Sequence, residues 1–428
     1  MARKTVRSLC VLAAFALVFL VALLHHDVNE QERRNLFNQN SSSIKSRQLS
    51  TTTTYQPLLS PENDASSNSS GYTYLIIHYH KSGHALTQNL RDILIQVDPS
   101  IKRNYIDRFS KREHDSITKC PHLTLHPYTV YVQSSPDFFC DIDILAEELL
   151  TRPYKRGVKI IHLIRNPFSM AMSNYNYHSQ DPLPEGENWV KRTNPCAVED
   201  KSSVIYANLF MKTLTSPGAY RLMEYDDFHI IQKMCHTLYD QIQSPGFYTH
   251  LRKLPPTEGL ALATTYLMLG HGGDILRMAN NIIKLRQLQT LEQQIHIHQH
   301  ALPSSKETRI QVLTLSMDNF IRDPKLTTLQ FLNFVSFGSN SDTNNGGALL
   351  TAQEKEEIAT RYEELYYEKV KAGDEHITSL SASKNTNNNT EMMTVLEQSL
   401  RTNVVWGRVL GNIENLVEEA LRGVHNWY

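Results

Sequence analysis

Net charge is almost missing from this chain: 43 Lys and Arg stand against 44 Asp and Glu in 428 residues. That balance excludes bulk nucleic-acid binding, so any site for an anion must be local. Cysteine is scarce. Of five, Cys10 lies in an apolar N-terminal run, which leaves Cys120, Cys140, Cys196 and Cys235. Four cysteines allow three connectivities, and sequence does not choose among them. Cys120–Cys140 with Cys196–Cys235 is the expected pairing, and four free thiols are the alternative. Glycine is lacking where a nucleotide kinase needs it. A P-loop of that kind has glycine upstream of its lysine, but the nearest glycine before Lys81 is Gly71, and Gly83 follows it.

What is present begins with Tyr74-Leu75-Ile76-Ile77-His78-Tyr79-His80-Lys81-Ser82-Gly83-His84-Ala85-Leu86. An apolar strand runs into Lys-Ser-Gly, and a helix-compatible segment follows from Ala85 to Val97, with Thr87 in its first turns. The first N–H groups of a helix have no intrahelical partner, and its dipole favours negative charge. Lys81 adds an ammonium. The turn suits a phosphate or a sulfuryl group.

A second segment, Val158-Lys159-Ile160-Ile161-His162-Leu163-Ile164, is rich in β-branched residues and reads as a buried parallel strand. It ends in Arg165-Asn166-Pro167, where Pro167 fits the first position of a helix. Arg165 at the strand end and Ser173 two turns into the helix offer a guanidinium fork and a hydroxyl to one phosphate.

In this order, the two segments resemble the sulfotransferase family that uses 3′-phosphoadenosine 5′-phosphosulfate (PAPS). The family's loop typically reads Pro-Lys-Ser/Thr-Gly-Thr-Thr/Ser; here it reads His80-Lys81-Ser82-Gly83-His84-Ala85. The family's Arg-(Asn/Asp)-Pro…Ser element is matched in type and spacing by Arg165 and Ser173. Leu315-Ser316-Met317-Asp318-Asn319-Phe320, leading to Asp323-Pro324, is similar to its late strand-end element. The likeness spans roughly Tyr72 to Gly338 and departs from the family at His84 and Ala85, where hydroxyl residues are usual.

The resemblance implies a P-loop-like, three-layer α/β/α fold with a mainly parallel central sheet. It implies that His80, Lys81, Ser82, Gly83, His84, Ala85, Leu86, Thr87, Arg165 and Ser173 bind the PAPS donor, with no metal. Lys81 would neutralise the leaving phosphate oxygen. A hydroxyl acceptor also requires a general base. The family position after the strand ending near Gln133 offers none, so His84 ranks first, followed by Asp137, with His80 and His178 as further candidates.

Alternating strands and helices carry the α/β expectation independently. Strands are expected at Tyr72–His78, Tyr128–Gln133, Lys159–Ile164 and Arg309–Leu315. A helical insertion is expected at about 218–302, and helices at Thr351–Val370 and Glu391–Arg422 within a polar segment 339–428. His296, His298 and His300 read as ordinary histidines between a helix and a strand. Asp141-Ile142-Asp143 has the form that holds a metal and a sugar nucleotide in glycosyltransferases, but Asp141 also suits a helix cap.

Residues 1–7 carry Arg3, Lys4 and Arg7, and residues 8–24 are apolar and uncharged. About 17 residues at about 1.5 Å each span about 25 Å, enough for a thin early-secretory membrane. Positive charge before the run predicts a cytoplasmic N-terminus and a lumenal body, with an uncleaved signal anchor expected and a cleaved signal peptide as the alternative. Residues 25–71, rich in Ser, Thr, Asn and Gln, read as a disordered lumenal stalk with sequons at Asn40 and Asn68; Asn388 begins a third. The expectation is a single-pass type II Golgi membrane glycoprotein that sulfates a hydroxyl or amino group, with a glycan as acceptor. Its alternatives are an inactive sulfotransferase-like protein that binds glycans or partners and, behind it, a glycosyltransferase.

Overall fold

The computed structural model describes residues 72–97, 101–103, 129–134, 157–179, 222, 225–240, 247–269, 274–299, 310–336, 350–372 and 387–422. All belong to the second of two units of the chain, Asn68–Tyr428. The N-terminal anchor and stalk, Asp137, Asp141, Asp143, Cys120, Cys140, Cys196 and His300 lie outside the described residues. No helix among the described residues is long and apolar enough to cross a membrane.

The strands are β1 (Thr73–His78), β2 (Lys102–Arg103), β3 (Thr129–Ser134), β4 (Val158–Ile164) and β5 (Ile310–Ser316). They form one sheet in the order β2-β3-β1-β4-β5, and every pairing is parallel. The four longer strands fall within one residue of the expected ranges. The two-residue β2 carries no periodicity and is not legible in sequence. β1 and β4 are buried along their whole length, as an interior parallel strand covered on both faces requires.

Alternate side chains serve two cores. Leu75, Ile77, Ile160 and Ile164 pack with helices α2 (Pro167–His178), α5 (Pro256–Leu269), α6 (Asp274–Gln299), α10 (Asn387–Thr402) and α11 (Trp406–Arg422). Tyr74, Ile76, Ile161 and Leu163 pack with α1 (His84–Val97), α8 (Pro324–Ser336) and α9 (Ala352–Ala372). Each fully buried Ile or Leu contributes about 1.5–3 kcal/mol. The remaining helices are α3 (Tyr225–Asp240), which carries Cys235, α4 (Phe247–Lys253) and α7 (Met317–Arg322).

Two further differences from the sequence expectation concern helices. His296 and His298 belong to α6 and not to a connector. The expected helix Glu391–Arg422 is two helices. Asn403 accepts from the Val405 and Trp406 N–H groups and caps α11. A side chain at Gly407 would meet the Arg401 carbonyl oxygen, so that glycine permits the close turn. The C-terminal helices are not an appendage: Leu400, Trp406 and Leu410 lie in one core, and Ala359 and Tyr366 in the other.

Two buried polar groups tie the layers together. The Lys159 ammonium donates to the carbonyl oxygens of Phe334 (2.8 Å) and Val335 (3.2 Å). A cation there complements the C-terminal end of α8. Tyr79, just past β1, accepts from Asn281 Nδ2 (2.9 Å) and meets His162 Nε2 at 2.7 Å. With its hydroxyl accepting from Asn281, Tyr79 donates to a neutral His162.

Burial lowers the His162 pKa from 6.5 to about 3. The unfolded chain therefore binds this proton from about pH 6.5 downward, while the folded protein resists it until about pH 3. Its contribution to stability is constant above pH 6.5 and falls on acidification, by up to about 1.4 kcal/mol per pH unit. Thermal melts from pH 7 to pH 4 should show a shallower decline for His162→Gln than for the wild type. Identical slopes in two folded proteins would contradict a buried neutral His162.

Candidate functional site

In the sheet order, chain leaving β1 runs toward β2, whereas chain leaving β4 runs toward β5. The carboxyl ends of β1 and β4 therefore flank a topological switch point, where open parallel sheets bind ligands. The two sequence motifs occupy these two ends.

After β1, Tyr79, His80, Lys81 and Ser82 form a tight turn, with the Ser82 N–H donating to the Tyr79 carbonyl at 3.0 Å. The Ser82 hydroxyl braces the turn: it donates to the Tyr79 carbonyl (2.9 Å) and accepts from the Tyr79 N–H (2.6 Å). Lys81 has φ 61°, a left-handed conformation that costs a non-glycine residue about 1–2 kcal/mol. Such strain concentrates at functional turns. Gly83 has φ 117°, a backbone conformation that favours glycine, and a Cβ there would lie 2.9 Å from Met317 Sδ, so that flexible side chain would have to shift. α1 then begins at His84 and has no acidic residue in its first turn, which leaves the helix terminus open to an anion.

After β4, Asn166 caps α2, its Oδ1 accepting from Phe168 N (2.9 Å) and Ser169 N (3.2 Å), with Pro167 at the first helical position. Arg165 is buried. Its Nη1 donates to the Lys81 carbonyl (2.8 Å) and its Nε to Asp318 Oδ1 (3.2 Å). Asp318 Oδ2 accepts from the Asn166 N–H (2.8 Å). These contacts commit two of the five N–H donors of a guanidinium. Asp318 follows β5, so Arg165 joins three strand ends.

A second ring of contacts holds Asn166. Its Nδ2 donates to Glu414 of α11, and the Glu414 carboxylate accepts two bonds from Arg401 of α10, at 2.9 and 3.0 Å. Arg401 also bonds Glu397 (2.8 Å) and lies 3.9 Å from the Phe168 ring centroid. Burial pushes the Glu414 carboxyl up, but Arg401 and Asn166 outweigh it and hold the carboxyl below its ordinary pKa.

The Lys81 ammonium rests 3.3 Å from the Tyr177 ring centroid. Ser173, four residues earlier and buried, shares that face of α2. His178 stacks between His80 and Tyr248, at centroid distances of 5.8 and 4.5 Å. Burial, then the nearby Lys81 charge, lowers its pKa to about 2. His84 is exposed, its Nδ1 3.4 Å from Nε2 of buried His78.

The fold thus brings together the turn His80–Thr87, Arg165 and the helix carrying Ser173, but their parts differ. The Ser82 hydroxyl is spent inside the turn, and the Thr87 hydroxyl donates to the His84 carbonyl. The Leu86 side chain is core, so only its backbone faces the ligand question. Ala85 lies in the first turn of α1. Sequence reasoning missed Tyr79, Tyr177 and Glu414. Glu414 lies 248 residues from its partner Asn166, and no local pattern announces such a pair. Among the described residues, no group of His, Cys, Asp or Glu is arranged to hold a metal. No family model, curated protein or solved structure matches the chain.

Gly83→Ala should cost on the order of 1–3 kcal/mol, because the positive φ opposes a side chain and Met317 would have to shift. Chemical denaturation would measure it, and unchanged stability would contradict the turn described here.

Proposed function

We propose that this protein is a PAPS-dependent sulfotransferase with a P-loop-like α/β/α core, transferring a sulfuryl group to a hydroxyl or amino group of a glycan. One observation carries the reading: two anion-suited turns sit at adjacent strand ends and are joined through Arg165 Nη1 and the Lys81 carbonyl at 2.8 Å. The remaining guanidinium donors of Arg165, with Ser173, suit a 3′-phosphate. The N–H groups at the start of α1 suit a phosphosulfate.

In this mechanism the chain positions and neutralises, as group transfer to an in-line nucleophile requires. Lys81 leaves the Tyr177 ring to compensate charge on the departing phosphate oxygen. His84 takes the proton of the acceptor hydroxyl. A sulfur–oxygen bond forms to the acceptor as the one to the phosphate breaks, with its electron pair leaving on the phosphate. PAPS supplies the sulfuryl group, and no metal is invoked. The helical insertion, whose Tyr248 stacks on His178, is proposed to shape the acceptor cleft. The glycan is inferred from the lumenal topology proposed for the body behind the residue 8–24 anchor.

A binding-only reading has one observation in its favour. The Ser82 and Thr87 hydroxyls are engaged internally, and His84-Ala85 offers no replacement. Calorimetry and transfer assays on the full chain in detergent separate the two readings. Adenosine 3′,5′-bisphosphate should bind at least about 10-fold more tightly than ADP, one well-placed charged contact being worth about 1.5–3 kcal/mol. Lys81→Ala should reduce transfer at least about 100-fold while lowering the melting temperature only slightly, through loss of the contact with Tyr177. Equal affinity for the two nucleotides would overturn the donor assignment. Binding without transfer from radiolabelled PAPS to mixed glycans would favour the inactive binder.

The Golgi topology carries its own test. Glycosidase treatment of the cell-expressed protein should increase its gel mobility through Asn40 and Asn68, and alkaline carbonate should leave it in the membrane pellet. An unshifted band would place the body in the cytosol.

A further inference from the structure

His78 ends β1 and is buried, yet neither the strand nor the anion turn requires an imidazole there. One ring nitrogen, Nδ1, faces the Tyr79 carbonyl oxygen at 3.4 Å. The other, Nε2, faces His84 Nδ1 at 3.4 Å, and the two rings are tilted at 59° with centroids 5.1 Å apart. The charged and titratable groups that act on His78 are His84 from α1, His80 from the turn and Asp274 from the start of α6. Burial foremost, and then His84, lower the pKa of His78 to about 4, with Asp274 acting the other way. His78 is therefore neutral near pH 7.

A neutral imidazole has one donor and one acceptor nitrogen. Only an N–H is favourable against a carbonyl oxygen, so His78 carries its proton on Nδ1 and a lone pair on Nε2. The facing Nδ1 of His84 must then donate. In the uncharged form of His84, the lone pair then lies on Nε2, on its solvent-exposed ring.

We infer that His78 is a positioning residue, holding His84 in the tautomer whose Nε2 accepts the proton of the acceptor hydroxyl. The inference rests on the sulfuryl-transfer reading and names the proton acceptor within it. The acceptor O–H proton moves to His84 Nε2, giving an imidazolium, while the acceptor oxygen bonds to sulfur and the phosphate leaves with the electron pair of the broken S–O bond. The His84 Nδ1–H bond to His78 strengthens as that charge forms.

The test separates positioning from structure. His78→Phe keeps a buried ring and removes both nitrogens; His78→Gln restores an acceptor oxygen. Turnover should fall about 10-fold or more in His78→Phe, part of the roughly 100-fold or greater effect of a general base, with the donor KM unchanged. His78→Gln should recover most of it. In a His84→Thr background, His78→Phe should cause no further loss. Nitrogen-15 imidazole spectra of the full chain in detergent give a readout independent of turnover, with the His84 signals assigned by their loss in His84→Thr. The wild type should show His84 protonated at Nδ1, and His78→Phe should shift it toward the Nε2–H form. A wild-type His84 protonated at Nε2, or a tautomer unmoved by His78→Phe in a folded protein, overturns the inference. Absence of any transfer by the wild type would instead overturn the sulfotransferase reading, and the spectra would still decide the tautomer.

Discussion

The site depends on the Arg165 guanidinium. A buried guanidinium must be paired, since desolvating it alone would cost several kcal/mol. Its partners are the Lys81 carbonyl after β1 and the Asp318 carboxylate after β5, and Arg165 itself follows β4. One side chain thus fixes the separation of three strand ends. Asp318 also accepts from the Asn166 N–H, so the same carboxylate sets the entry of α2, which carries Ser173 and Tyr177. A Lys at position 165 would supply charge without the planar fork that serves several directions at once.

This arrangement explains why chain so distant in sequence belongs to the site. Asn166 can cap α2 only if its side chain is held, and Glu414 holds it. Glu414 keeps its charge in a half-buried place because Arg401 meets it with two bonds, and Arg401 itself lies against Phe168 at the start of α2. The last two helices are thereby coupled to the turn that carries Arg165.

The sheet was legible because buried parallel strands read as apolar runs: β1 and β4 are recognisable from Leu75-Ile76-Ile77 and Ile160-Ile161 alone. The two turns were legible because glycine, proline and capping residues act locally; Gly83, Asn166 and Pro167 have the geometry their types imply. What remained hidden acts at long range. Nothing near His162 indicates that Tyr79 and Asn281 will make it a neutral member of a buried network. Nothing near Asn166 indicates Glu414. The break at Asn403 was written in sequence as an asparagine before Trp406 and Gly407, but the amphipathic period runs through it and hides it.

The histidines around the turn divide by solvent access, and that division bears on proton transfer. His78 and His178 are buried with strongly lowered pKa values, so both are neutral at neutral pH. For His178, the nearby Lys81 ammonium adds to burial. His162 lies deeper still and is engaged with Tyr79. His84 is the exposed member of the group, and in the proposed mechanism that exposure lets water solvate the charge formed on its ring. It also stands at the first position of α1, within one residue of the loop glycine. Burial thus sets His78, His162 and His178 apart from His84, while His80 is only partly buried.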